Sequence, residues 1–108
     1  HPTGRLLLAR EAYRVNMAEV IDAAAERGKV LELNINPQRL DLDWRNGIIA
    51  KRKGVKIALG SDIHHREAFD YLSLGVKIAR KGWIEAQDCI NTMSASEAAR
   101  FLTRMKTR

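Results

Sequence analysis

One carboxylate and two imidazoles stand out as groups that could do chemistry together. Asp62 and His64 lie two positions apart just past an apolar run, and His1 opens the chain in His1-Pro2-Thr3-Gly4-Arg5. Carboxylate oxygen and neutral imidazole nitrogen suit zinc, manganese or iron, and paired ions of this kind polarise a phosphate ester while generating a hydroxide nucleophile. The chemistry indicated is metal-assisted phosphoester hydrolysis, with His1 as a third ligand returned by the fold and activated hydroxide, not a side chain, as the attacking group. Taken alone, an Asp-x-His triplet is also the pattern of a capped turn with a surface histidine.

In parallel α/β architectures ligands bind beyond the carboxyl ends of the strands, so strands must lead to these residues. Residues 55–62 put Val55, Ile57 and Leu59 on one face and Lys56, Ala58, Gly60 and Asp62 on the other. The second face is small near Asp62, where a metal cluster needs room. Residues 29–36 alternate in the same way, with Leu31, Leu33 and Ile35 opposite Glu32, Asn34 and Asn36, and Asn36-Pro37 ends the run. A polar strand face turned towards a barrel interior requires partners, which gives Glu32 and Asn34 a supporting role at the site.

Helical patterns separate these strands. Residues 15–27 carry a stripe of Met17, Val20, Ile21, Ala24 and Ala25, and Gly28 follows as the terminating residue. Asp41 or Asp43 can cap a helix through Ile48, Ile49 and Ala50 that Gly54 closes. Residues 67–79 predict a helix, residues 85–90 a short one, and Ser94-Ala95-Ser96-Glu97 has the capping-box form that opens a last helix through Phe101 and Leu102. This order implies α/β architecture, parallel strands with crossover helices. Two strands cannot close a sheet or barrel, so the expectation is one partial domain over residues 1–108, a slice of a larger α/β domain whose upstream part is absent. The absence of an initiator Met agrees with that expectation.

At 108 residues, with 45% apolar and 30% charged side chains, the composition is that of one modest soluble domain. No apolar run approaches the roughly 18 residues of a membrane span, and no signal-peptide pattern opens the chain, so a cytoplasmic protein without a membrane partner is expected. The single cysteine, Cys89, excludes an intramolecular disulfide and a cysteine-built zinc knuckle, and is expected to be a small buried hydrophobe on a helix. The net charge of +6 favours polyanionic partners, nucleic acid first, although solvated helix faces carry charge equally well. No aromatic residues are interleaved with the basic ones, so no base-stacking platform is visible.

Together these residues resemble a known family. His1-Pro2-Thr3-Gly4-Arg5-Leu6-Leu7, Leu31-Glu32-Leu33-Asn34, Asn36-Pro37 with Arg39-Leu40-Asp41-Leu42, Ser61-Asp62-Ile63-His64, and Gly75-Val76 followed by Ala79-Arg80-Lys81-Gly82-Trp83 occur in the order of the C-terminal part of a PHP (polymerase and histidinol phosphatase) domain. The chain is most similar to the PHP domain of bacterial family X DNA polymerases, and the first and last of these segments point to that branch.

The resemblance implies the C-terminal portion of a distorted β/α barrel with a trinuclear manganese or zinc centre. It also implies 3′-5′ exonuclease activity on DNA 3′ ends in DNA repair, within a parent that is also a DNA polymerase. His1 matches the histidine ligand of the His-Pro motif, and Asp62 and His64 match the last aspartate and histidine ligands. The upstream His-x-His motif, a further histidine and the glutamate ligand lie outside the sequence. Ile63 stands where alanine is more usual, and His65 where a small polar residue is. On chemistry alone, Arg5 and Arg39 could meet substrate phosphate. The segment alone is expected to be a poor catalyst, with exposed strand edges that favour self-association. Two other readings are a free-standing PHP phosphatase for small phosphate esters and a non-catalytic PHP scaffold.

Overall fold

The structure, a computed structural model, describes residues 1–107. Alternation in Leu-Glu-Leu-Asn forms β1 (Leu31–Asn34), which pairs in parallel with β2 (Ile57–Gly60), Leu31 opposite Ile57 and Asn34 opposite Gly60. Helix α2 (Trp44–Arg52) makes the crossover, preceded by α1 (Met17–Glu26) and followed by α3 (Tyr71–Lys81) and α4 (Ala95–Lys106). The α/β class with parallel strands and a crossover helix therefore holds. Among the described residues the sheet has two strands. No helix is long and apolar enough to cross a membrane among those residues.

Local chemistry sets the element ends. Asn16 caps α1 and Asp43, rather than Asp41, caps α2 by accepting from Asn46 N at 2.8 Å. Gly28 and Gly54 follow the first two helices with φ of 59° and 74°, a left-handed conformation that glycine adopts without a Cβ penalty. Ser94 and Glu97 form the expected reciprocal capping box on α4. Strand β1 stops at Asn34 because side-chain oxygens take over the backbone donors. Asn34 Oδ1 accepts from Asn36 N, and Asn36 Oδ1 from Gln38 N.

Four expectations need correction. The helix predicted over residues 67–79 begins as a 3-10 segment, Arg66–Asp70, and becomes α-helical only from Tyr71. Residues 85–90 form no continuous helix; two single 3-10 turns, Ala86–Asp88 and Ile90–Thr92, flank an extended Cys89. Cys89 is buried as expected, but it lies on extended backbone bridged to Ile57, and burial pushes its thiol pKa up. Both sheet edges are covered where open ones were expected. Asp41 and Leu42 pair along the outer side of β1, and the Asn91 amide both donates to and accepts from the backbone of Leu59 on β2.

Ile21, Leu33, Ile35, Leu42 and Ile57 are fully buried and knit α1, the sheet and the 41–42 segment together, with Ala50 of α2 and Ala79 of α3 among them. Helix α3 approaches so closely that a Cβ on Gly75 would stand 2.5 Å from Ile35 Cγ2. Lys51 ties α2 to the chain after α3, donating to Trp83 O at 2.7 Å and pairing with Glu85 and with Asp88 at 3.1 Å.

These contacts generate two predictions. Gly75→Ala gains helix propensity of about 1 kcal/mol, yet crowding against Ile35 should leave it destabilised by about 1–3 kcal/mol in urea unfolding. An Ile35→Ala background should reduce that loss. The Glu85 hydrogen bond chiefly, with Asp88, outweighs burial and raises Lys51 above its ordinary pKa of 10.5. Burial pulls Asp88 upward, but the Glu85 backbone N–H and Lys51 overcome it and hold Asp88 below its ordinary 3.8. The raised lysine stabilises the fold below its ordinary value and is lost as pH rises through its folded value; the depressed carboxyl stabilises above its ordinary value and is lost as pH falls through its folded value. Lys51→Met should therefore lower Tm at pH 7, with the gap to the parent chain narrowing at both extremes. A pH-independent gap in thermal melts would refute this coupling.

Candidate functional site

The segment that carries His1 is anchored by Asp41. Its carboxylate is fully buried and accepts from Thr3 N at 3.0 Å, Thr3 Oγ1 at 3.0 Å and Gly4 N at 3.1 Å. Hydrogen bonds from backbone N–H and hydroxyl to an ionised carboxylate are stronger than neutral ones, so this contact fixes the loop. Gly4 has φ of 64°, and a Cβ there would stand 2.4 Å from the Tyr13 ring. Tyr13 donates its hydroxyl to Pro2 O at 2.9 Å, and Arg10 donates to Gly4 O at 2.7 Å. Arg5 donates to Arg39 O at 2.9 Å and to Leu40 O, while Arg39 donates to Arg5 O at 3.1 Å. The two guanidinium groups expected at a substrate phosphate thus clasp two backbone segments together.

This clamp brings His1 to the carboxyl end of β2. His1 Nε2 lies 3.5 Å from Asp62 Oδ2, and the His1 backbone nitrogen 3.3 Å from Glu32 Oε2. Glu32 lies over Gly60, where a Cβ would fall 2.3 Å from Oε1, so the smallness of Gly60 makes room for that carboxylate. Past the strand the chain turns at Asp62, whose φ of 53° is a left-handed conformation that a short polar side chain tolerates better than a bulky one. The turn sets His64 Nδ1 2.7 Å from Asp62 O and 3.8 Å from its carboxylate.

A carbonyl oxygen can only accept, so His64 Nδ1 carries the proton and, in the neutral ring, Nε2 keeps its lone pair. An imidazole whose second N–H is held by a backbone carbonyl is the arrangement usual for metal-ligating histidines. His64 is 78% exposed at its side chain. The structure therefore joins His1 to Asp62 and Asp62 to His64. No group of three His, Cys, Asp or Glu residues able to hold a metal ion is present among the described residues. His65 points away, as expected, with Nδ1 3.2 Å from Glu67 Oε2 and its ring edge-on to Tyr71. Asn34 is buried and satisfied locally, so of the two polar-face residues Glu32 alone reaches the site.

Sequence reasoning missed the anchoring role of Asp41, because its partners lie 37 and 38 residues away and no local pattern links them. Replacing it tests the clamp. Asp41→Ala should destabilise the chain by about 2–3 kcal/mol, the scale of losing bonds to a charged acceptor and orphaning buried donors. Limited proteolysis should then cleave the first 14 residues faster than the remainder, whereas an unchanged cleavage pattern would show that the clamp does not hold His1.

No established family profile matches the chain. A curated relative, the DNA polymerase/3′-5′ exonuclease PolX of Bacillus subtilis (strain 168), is 38% identical over 104 residues, or 96% of this chain. The chain spans 18% of the length of that relative. Over almost its whole length, the chain is thus similar to a segment of a bacterial family X DNA polymerase.

Proposed function

We propose that this chain is part of a metal-dependent phosphoesterase domain of the PHP type, acting as a 3′-5′ exonuclease on DNA 3′ ends within a bacterial family X polymerase engaged in DNA repair. The observation that carries this reading is the approach of His1 to Asp62 at the carboxyl end of β2. The 38% identity to a polymerase/exonuclease supports the nucleic-acid substrate.

The donor chemistry fits a manganese or zinc ion: imidazole nitrogens from His1 and His64, and carboxylate oxygen from Asp62. These three residues would hold part of a trinuclear centre whose other ligands come from outside this chain. When bound, such ions supply Lewis-acid polarisation of the phosphate ester and lower the pKa of water. The residues of this chain prepare the site. Asp62 fixes the His64 tautomer through its carbonyl, Asp41 holds the segment that presents His1, and Arg5 and Arg39 serve by locking that segment to the 39–40 loop. Glu32 adds a second carboxylate beside His1.

The test uses the full-length polymerase with Asp62→Ala and His64→Ala made separately. Release of the 3′-terminal nucleotide from labelled DNA should fall by about two orders of magnitude or more, the upper range for losing even a supporting group of a metal ligand. Nucleotide addition should be unchanged. Exonuclease activity retained in both variants would rule out this assignment. Hydrolysis of small phosphate esters without action on DNA would favour the phosphatase reading, and failure of the intact domain to take up manganese or zinc would favour the scaffold.

A further inference from the structure

The two ends of the strands carry different chemistry. Asp62, His64 and His1 lie at the carboxyl ends, whereas the turns feeding the amino ends carry Lys29 before β1 and Lys53 and Lys56 before β2. Helix α4 lies against these turns. Phe101 lines a cavity of about 190 Å³ with Lys29, Gly54 and Lys56, and Lys29 Nζ donates to Met105 O at 2.8 Å.

One turn apart on α4, Arg100 and Arg104 are both exposed, and both line a groove of about 400 Å³ alongside Gln87 and Thr92. Neither guanidinium has a hydrogen-bond or ion-pair partner among the described residues. Like charges at this spacing destabilise a helix, and neither Glu97, which lines the same groove, nor Asp88 forms an ion pair with them. Glu97 is engaged by Ser94, and Asp88 by Lys51 and the Glu85 N–H. Arginine presents a planar fork of donors matched to phosphate. Phe101 also lines this groove but is half-buried rather than an open platform for unstacked bases, which favours a ligand whose phosphates face outward and whose bases are already stacked.

We propose that this face binds the phosphate backbone of duplex DNA without reading its sequence, as a contact separate from the Asp62 site. Arg100 and Arg104 touch the phosphates, and Lys29 and Lys56 add positive potential beside them. The inference rests on DNA as the partner under the proposed function but does not depend on hydrolysis.

Binding of a fluorescent duplex is followed by anisotropy across a salt series, using this chain, its Arg100→Gln/Arg104→Gln variant and its Lys77→Gln variant, with circular dichroism to establish that each is folded. Each phosphate contact contributes about 0.9 to the slope of log affinity against log salt, so the double variant should bind more weakly with a slope shallower by about 1.8. Lys77→Gln, which removes a like charge from an exposed position on α3, should bind as the parent chain does, and this result supports the surface even if the Asp62 site proves inert towards 3′ ends. An unchanged slope in the folded double variant would overturn the proposal, as would absence of duplex binding by the parent chain. Preference for a polyglutamate peptide over the duplex would also overturn it, pointing to an acidic protein instead.

Discussion

Burial of the Asp41 carboxylate is the constraint on which the arrangement of this molecule depends. An ion removed from water requires compensation of several kcal/mol, and the bonded partners here are neutral: two backbone N–H groups and a hydroxyl. The charge is solvated by the protein's own dipoles, and those dipoles belong to the segment that carries His1. The Asp41 backbone meanwhile pairs with Asn34 at the end of β1. A single residue thus joins the sheet to the chain start, and a histidine remote in sequence from Asp62 comes to lie beside it.

The site is organised by backbone atoms as much as by side chains. The Asp62 carbonyl selects the His64 tautomer, the left-handed turn at Asp62 aims that carbonyl, and Gly60 leaves space for Glu32. These features hold the Asp62 carboxylate, the His64 ring and Glu32 at the carboxyl end of β2. They also show what two basic side chains near the site do: Arg5 donates to the Arg39 and Leu40 carbonyls, and Arg39 to the Arg5 carbonyl.

Much of the framework was legible in the residues. Strict alternation from Leu31 to Asn36, glycines after α1 and α2, and the Ser94-Glu97 capping box are local patterns, and local physics decides them. The features that escaped are those decided at a distance. Asp41 was read as a possible cap because its neighbours permit that, whereas the actual partners are Thr3 and Gly4. Cys89 was assigned to a helix because short apolar runs do not distinguish states, and its pairing with Ile57 settled the matter in favour of extended backbone. The 3-10 start of the segment before α3 has no period of its own to read. At the site, spacing leaves Asp62 and His64 an open pair, with His1 a third ligand only if the fold returns it; the resemblance matches His1 to a ligand position, and the fold sets it 3.5 Å from Asp62.

Asn91 gives the sheet a further property. Its amide presents one donor and one acceptor to Leu59 in the manner of an adjoining peptide group. A strand arriving from elsewhere in a longer chain would have to evict this amide, replacing one pair of bonds with an equivalent pair. Such an exchange is nearly isoenergetic in hydrogen bonding, so the outcome would be governed by the apolar area the newcomer covers. This rotatable side chain covers the Leu59 end of the edge while the Cys89 backbone, bridged to Ile57, covers the other, so a newcomer would have to displace both.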